Sequence, residues 1–87
     1  MKYTQEEVIE KFGEIELSFE DYYKYSFGFN YKNEILDIHG SFGGDSNDIY
    51  RYNVSFDKKV RIKDFAIELN YLRIIENGEI VFEYSDY

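Results

Sequence analysis

The sequence predicts an α+β domain: a short N-terminal helix packed on one antiparallel β-meander sheet of five to six strands. Three observations predict it. A helix-capping signature stands at the N-terminus, period-two alternation of apolar residues runs from Ile15 onward, and turn residues cut that alternation into hairpin-sized pieces. No proline interrupts any of these strands. A length of 87 residues fits one domain, 1–87. Ten Tyr and eight Phe supply the core such a small domain needs, since each buried ring removes roughly 150–250 Å² from water.

Thr4-Gln5-Glu6-Glu7 is a capping box, with Thr4 at the N-cap and Glu7 reaching back from three residues on. Tyr3 and Val8 occupy the flanking staple positions, and Val8, Ile9 and Phe12 form one apolar stripe. Gly13 is a natural stop. About two turns of helix are marginal alone, so packing must hold them.

Ile15, Leu17 and Phe19 alternate as in a first strand, while Ser18-Phe19-Glu20-Asp21 also fits a second capped helix. Tyr23, Tyr25, Phe27, Phe29 and Tyr31 alternate with polar residues as a half-buried strand. A two-residue turn at Lys32-Asn33 sets Phe29 opposite Leu36, Phe27 opposite Ile38, Tyr25 opposite Gly40 and Tyr23 opposite Phe42. The Tyr25 ring would then cover the missing side chain of Gly40.

Residues 43–48 read as a loop, and Tyr50, Tyr52, Val54 and Phe56 as a further strand. A turn at 57–59 pairs Phe56 with Val60 and Val54 with Ile62. Asn77-Gly78 is the strongest turn signal, pairing Ile75 with Ile80, Arg73 with Phe82 and Tyr71 with Tyr84, with Ile67 and Leu69 on the same face.

Charge narrows the function. The formal net charge of −8 is concentrated at the two ends: seven acids against Lys2 and Lys11 in residues 1–22, and four acids with no base in residues 76–87. Such a surface repels nucleic acid and anionic lipid and attracts basic partners, so no direct nucleic-acid binding is expected. Absence of cysteine excludes disulfides, thiolate metal sites and cysteine nucleophiles, and favours a reducing interior. No apolar signal region and no long apolar run is present, so a cytoplasmic protein without membrane contact is expected.

Chemical motifs give little. His39, the only histidine, lies between Asp37 and Ser41 on a polar strand face; side chains two residues apart start roughly 6.5–7 Å from each other, which argues against a catalytic triad. The 45–48 loop offers oxygens to calcium, but Phe56 stands where an EF-hand loop requires glutamate. Gly43-Gly44 precedes acids that would repel phosphate. Neither cofactor nor metal nor enzymatic activity is expected.

The surface carries the functional reading. Tyrosine exceeds what a core of this size needs and stands beside acids, as in Glu20-Asp21-Tyr22-Tyr23 and Glu83-Tyr84-Ser85-Asp86-Tyr87; such rings offer large rigid contact area with a polar tip. The expected partner-binding residues are Glu6, Glu7, Glu10, Glu14, Glu20, Asp21 and Tyr22, joined by Glu76, Glu79, Glu83 and Asp86 if the last hairpin lies nearby. In size, charge and composition the chain resembles the small acidic stoichiometric inhibitors of the toxin-immunity, anti-restriction and anti-CRISPR kind; that likeness implies a basic protein partner, including one that handles nucleic acid. Two other readings stand beside it: a homodimer formed through a free edge of the Tyr23–Tyr31 strand, and a binder of a small ligand or nucleotide derivative in an aromatic pocket.

Overall fold

A computed structural model describes residues 2–23, 26–43, 60–65 and 70–85. The readings that fall on 44–59 and 66–69, on Tyr25, and on Asp86 and Tyr87 lie outside these. Helix α1 spans Gln5–Phe12 and strands β1, β2 and β3 span Glu16–Tyr23, Ser26–Lys32 and Leu36–Gly43. Strand β4 is Val60–Arg61, a single turn of helix α2 covers Ile62–Phe65, and β5 (Tyr71–Glu76) and β6 (Glu79–Ser85) form the last hairpin. The sheet order is β4-β1-β2-β3-β5-β6 and each described pairing is antiparallel. Five strands thus follow one another as a meander, and two-residue β4 lies outside β1.

The capping box forms as expected. Thr4 Oγ1 accepts from the Glu7 N–H and Glu7 Oε1 accepts from the Thr4 N–H, both at 3.2 Å. Tyr3 packs its ring against Phe12 at 5.8 Å, with the Lys11 ammonium 4.7 Å from the ring centre. Replacing Thr4 by alanine removes one side of the box and should cost about 1 kcal/mol, readable as a lower urea midpoint. Gly13 ends the helix without turning left-handed: φ is −60° and its carbonyl accepts from the Lys63 N–H. Glycine is needed there for room, because a Cβ would fall 2.2 Å from the Ile9 carbonyl oxygen and 3.3 Å from Lys63 Cβ.

Between Ile15 and Tyr23 the strand wins over the second helix, and a bulge between Phe19 and Tyr22 lets β1 continue to Tyr23. Tyr23 therefore belongs to β1, not to the strand that contains Phe27. The β2–β3 register also differs from expectation. Tyr31 faces Ile38, Phe29 faces Gly40 and Phe27 faces Phe42, a shift of four residues. An even shift leaves every side chain on its face, which is why alternation alone could not detect it. Turn chemistry decides it: Asn33 Oδ1 accepts from the N–H groups of Ile35 (2.8 Å) and Leu36 (2.6 Å), placing Glu34-Ile35 at the tip instead of Lys32-Asn33.

Asn77 and Gly78 adopt φ of 53° and 79°, the left-handed geometry of a tight two-residue turn, and Ile75 faces Ile80 as expected. Beyond that pair β6 bulges, so Arg73 meets Glu83 and Tyr71 meets Ser85, not Phe82 and Tyr84. The extra residue puts Val81 and Phe82 both into the core, and the buried face of β5 is Leu72 and Ile74. Ile62, expected in a strand, instead opens α2 and is buried.

The core unites Val8 and Phe12 of α1, Ile62 of α2, and Leu17, Phe29, Ile38, Leu72, Ile74, Val81 and Phe82 of the sheet. Each such side chain contributes roughly 1.5–3 kcal/mol by leaving water. No described polar or charged residue is fully buried. No described helix is long and apolar enough to cross a membrane.

Candidate binding surface

The N-terminal segment and the last hairpin are tied together. The backbone N–H groups of Lys2 and Tyr3 both donate to the Val81 carbonyl, at 3.1 and 3.0 Å. The Tyr3 hydroxyl donates to Glu76 Oε1 at 2.9 Å. These bonds carry the first turn of α1, with Glu6 and Glu7, to the end of the molecule where Glu76 and Glu79 stand. Glu6, Glu7, Glu10 and Glu79 are exposed and Glu76 is half-buried. The two acidic ends of the chain therefore share one end of the fold.

Not all expected acids join them. Glu14, at the far end of α1, contacts Lys63 and lies 3.5 Å from Arg61, so it fastens α1 to β4 and α2. Glu20, Asp21 and Tyr22 lie in β1, three strands removed from β5. Glu83 turns onto the sheet face opposite the core and meets Arg73, Nε to Oε2 at 2.6 Å. Asp86 lies outside the described residues.

That open face is polar and ordered by the register. Ser18, Asn30, His39, Arg73 and Glu83 stand in one row across β1, β2, β3, β5 and β6. The hydrogen bond that Arg73 donates to Glu83, then the charge of Glu83, then the neighbouring Tyr71 raise the Arg73 pKa, so the guanidinium stays charged throughout. The neighbours of His39 are Asn30 and Arg73 and not Ser26, which the four-residue shift moves opposite Gly43.

His39 and Asp37 come closer than strand spacing suggests, with Nε2 and Oδ1 2.5 Å apart, because both side chains lean toward each other along one face. The Asp37 oxygen is buried yet makes no hydrogen bond of good geometry, so the contact is one of proximity. A carboxylate beside an imidazole can orient a ring and hold a proton. Half of the His39 side chain faces solvent, which leaves it without the dry, concave setting that catalysis by such a pair demands.

Ile15, Glu16, Ser18, Asn30, Tyr31 and Lys32 border an open cleft of about 490 Å³. Polar groups dominate it, unlike the apolar pocket that a drug-sized ligand would need. Among the described residues no group of three or more acids or histidines is placed to hold a metal.

The Phe27–Tyr31 part of the strand expected to offer a free edge is interior, while Tyr23 stands in β1, whose described outer partner β4 reaches only Glu16 and Leu17. Strand β2 lies between β1 and β3, and the outer strand next to β5 is β6. Lys2 and Tyr3 already occupy the Val81 carbonyl of β6, and a bulge distorts the strand there.

Comparison with protein-family models, with curated proteins and with solved structures returned no match.

Proposed function

We propose that the chain is a small acidic protein-binding module that acts by docking onto a basic surface of another protein, as a stoichiometric inhibitor or adaptor. A partner that itself handles nucleic acid has the right surface, and the anti-defence, anti-CRISPR and toxin-immunity inhibitors are the kind of protein this reading describes. The observation that carries it is the union of the two acidic chain ends at one end of the fold through the Lys2, Tyr3, Val81 and Glu76 bonds. Glu76 and Glu79 stand directly opposite each other across the Asn77-Gly78 turn, an arrangement that costs stability. Glu79 is exposed, and among the described residues no hydrogen bond or ion pair holds its side chain. A charge kept against its cost to the fold is what a docking surface requires, since complementary charge speeds encounter and selects the partner.

Replacing Glu79 by glutamine should raise stability by about 0.2–1 kcal/mol while weakening partner binding. A variant that is less stable, or that binds equally well, would remove the support Glu79 gives. The partner is found by pull-down with the tagged chain, eluted by rising salt; its affinity should fall at least about tenfold from low to physiological salt as the screening length shortens. Affinity that ignores salt would end the electrostatic reading.

A further inference from the structure

We infer that the acidic end holds its partner through an apolar anchor at the two hairpin tips, Ile35 and Ile80 with Ile75 beside them, and that the occupant is a basic protein segment presenting an apolar ridge between lysines or arginines. The inference rests on the docking function proposed above and adds the residues that would retain the partner once charge has brought it in.

Ile35 and Ile80 are the two large hydrophobic residues exposed among the described residues, at 54% and 48%. Both are at the same end of the sheet. Ile80 faces Ile75 across the last hairpin, on the open face. Ile35 sits at the tip of the β2–β3 hairpin, and its carbonyl accepts from the Asn77 N–H at 2.9 Å, joining one tip to the other. Asn33 Oδ1 holds the Ile35 N–H at 2.8 Å. The loop is thus fixed through both backbone groups of the residue it exposes. Such pre-organisation lowers the entropy lost when a partner lands.

Charge selects the occupant. Glu34 and Glu79 are exposed beside the isoleucines and Asp37 and Glu76 are half-buried there, four acids against Lys32 and, behind Val81, Lys2. A second copy of this chain would set acid against acid across the contact, and an anionic membrane would be repelled in the same way. A segment with an apolar ridge flanked by lysine or arginine satisfies both halves of the patch, in the arrangement of a buried centre and a charged rim.

The test titrates the isotope-labelled full chain at low salt with two peptides of equal length, a leucine/lysine peptide of helical period and a lysine-only peptide, following amide shifts by NMR. The expected result is tighter binding of the leucine/lysine peptide, with shifts centred on residues 34–36 and 75–80. The Ile35→Ser/Ile80→Thr double variant should lose about tenfold for that peptide and nothing for the lysine-only one. Ile80→Thr alone keeps a β-branched residue in the strand and should show part of the same loss, so a folding defect in the double variant would not decide the matter. Equal affinity for the two peptides, or shifts centred on other residues, would overturn the anchor while leaving the acidic docking function intact. Binding of neither peptide would remove the docking function itself, and the anchor with it. Concentration-dependent sedimentation that Ile80→Thr abolishes would assign the patch to a second copy and overturn the proposal.

Discussion

Replacing Phe29 by alanine should cost about 3–5 kcal/mol, a large share of what holds so small a domain together. The ring is 1% exposed, in the middle of β2, with β1 on one side and β3 on the other. Its removal takes away both the transfer free energy of the ring and the contacts of the side chains around it, since a close-packed interior relaxes only in part. At roughly 0.05–0.15 kcal/mol per residue, a chain of this length has only about 4–13 kcal/mol in total. Urea unfolding followed by far-UV circular dichroism measures the effect. Ile35→Ala is the comparison: the same kind of apolar truncation at a 54% exposed tip should change stability by less than about 0.5 kcal/mol. Equal losses for the two variants would contradict the assignment of core and surface.

The contrast between these two residues marks how far the sequence could be read. Alternation placed Phe29 and Ile38 on the buried face correctly, because a strand with one wet side permits no other choice. It could not place them opposite the right partners. A shift by four preserves every face, and only the side-chain hydrogen bonds of Asn33 separate the two registers. In the last hairpin the pairing Ile75–Ile80 is legible, but the extra residue in β6 moves Arg73 opposite Glu83 and Tyr71 opposite Ser85, and the residues of β5 that are buried are Leu72 and Ile74. The capping box was legible because both halves lie within four residues; the place of β4 beyond β1 was not, because it depends on contacts far apart in the chain.

The same distinction governs the candidate surface. The acids were visible in the composition, and their separation into two chain ends was plain. Which of them meet was not, because convergence depends on the Lys2 and Tyr3 bonds to Val81, a residue given no role by its position in an alternating pattern. In the sequence Glu14 and Glu83 are equivalent to Glu6 and Glu79; in the fold Lys63 and Arg61 stand beside the first and Arg73 beside the second. The exposure of Ile35 and Ile80 is hidden in the sequence for a related reason. Each reads as an ordinary apolar strand residue, and only the tight Asn33 and Asn77 turns bring them out at the tips.

Gly40 connects the core to that surface, and Gly40→Val is expected to be the other severe substitution. Gly40 faces Phe29 in β2 and Leu72 in β5 and is itself buried. A Cβ there would lie 2.9 Å from the Tyr71 carbonyl oxygen and 3.4 Å from Leu72 Cδ1. The first contact is with backbone, so no rotamer change relieves it. Strand β5 must move away from β3, which weakens the pairing that sets His39 beside Arg73 and holds the Ile35 and Asn77 tips together. Overpacking of this kind costs about 1–3 kcal/mol, and two further methyl groups in a closed core place valine at the upper end or beyond it. Gly40→Ala, which adds the Cβ alone, should lose less. Amide hydrogen exchange gives the spatial readout: protection should fall first along β3 and β5, and the Asn77 amide should exchange faster as its bond to Ile35 loosens. Unchanged exchange in those strands would mean that β3 and β5 have room for a side chain at this position, and that the close approach does not control how the two tips are held.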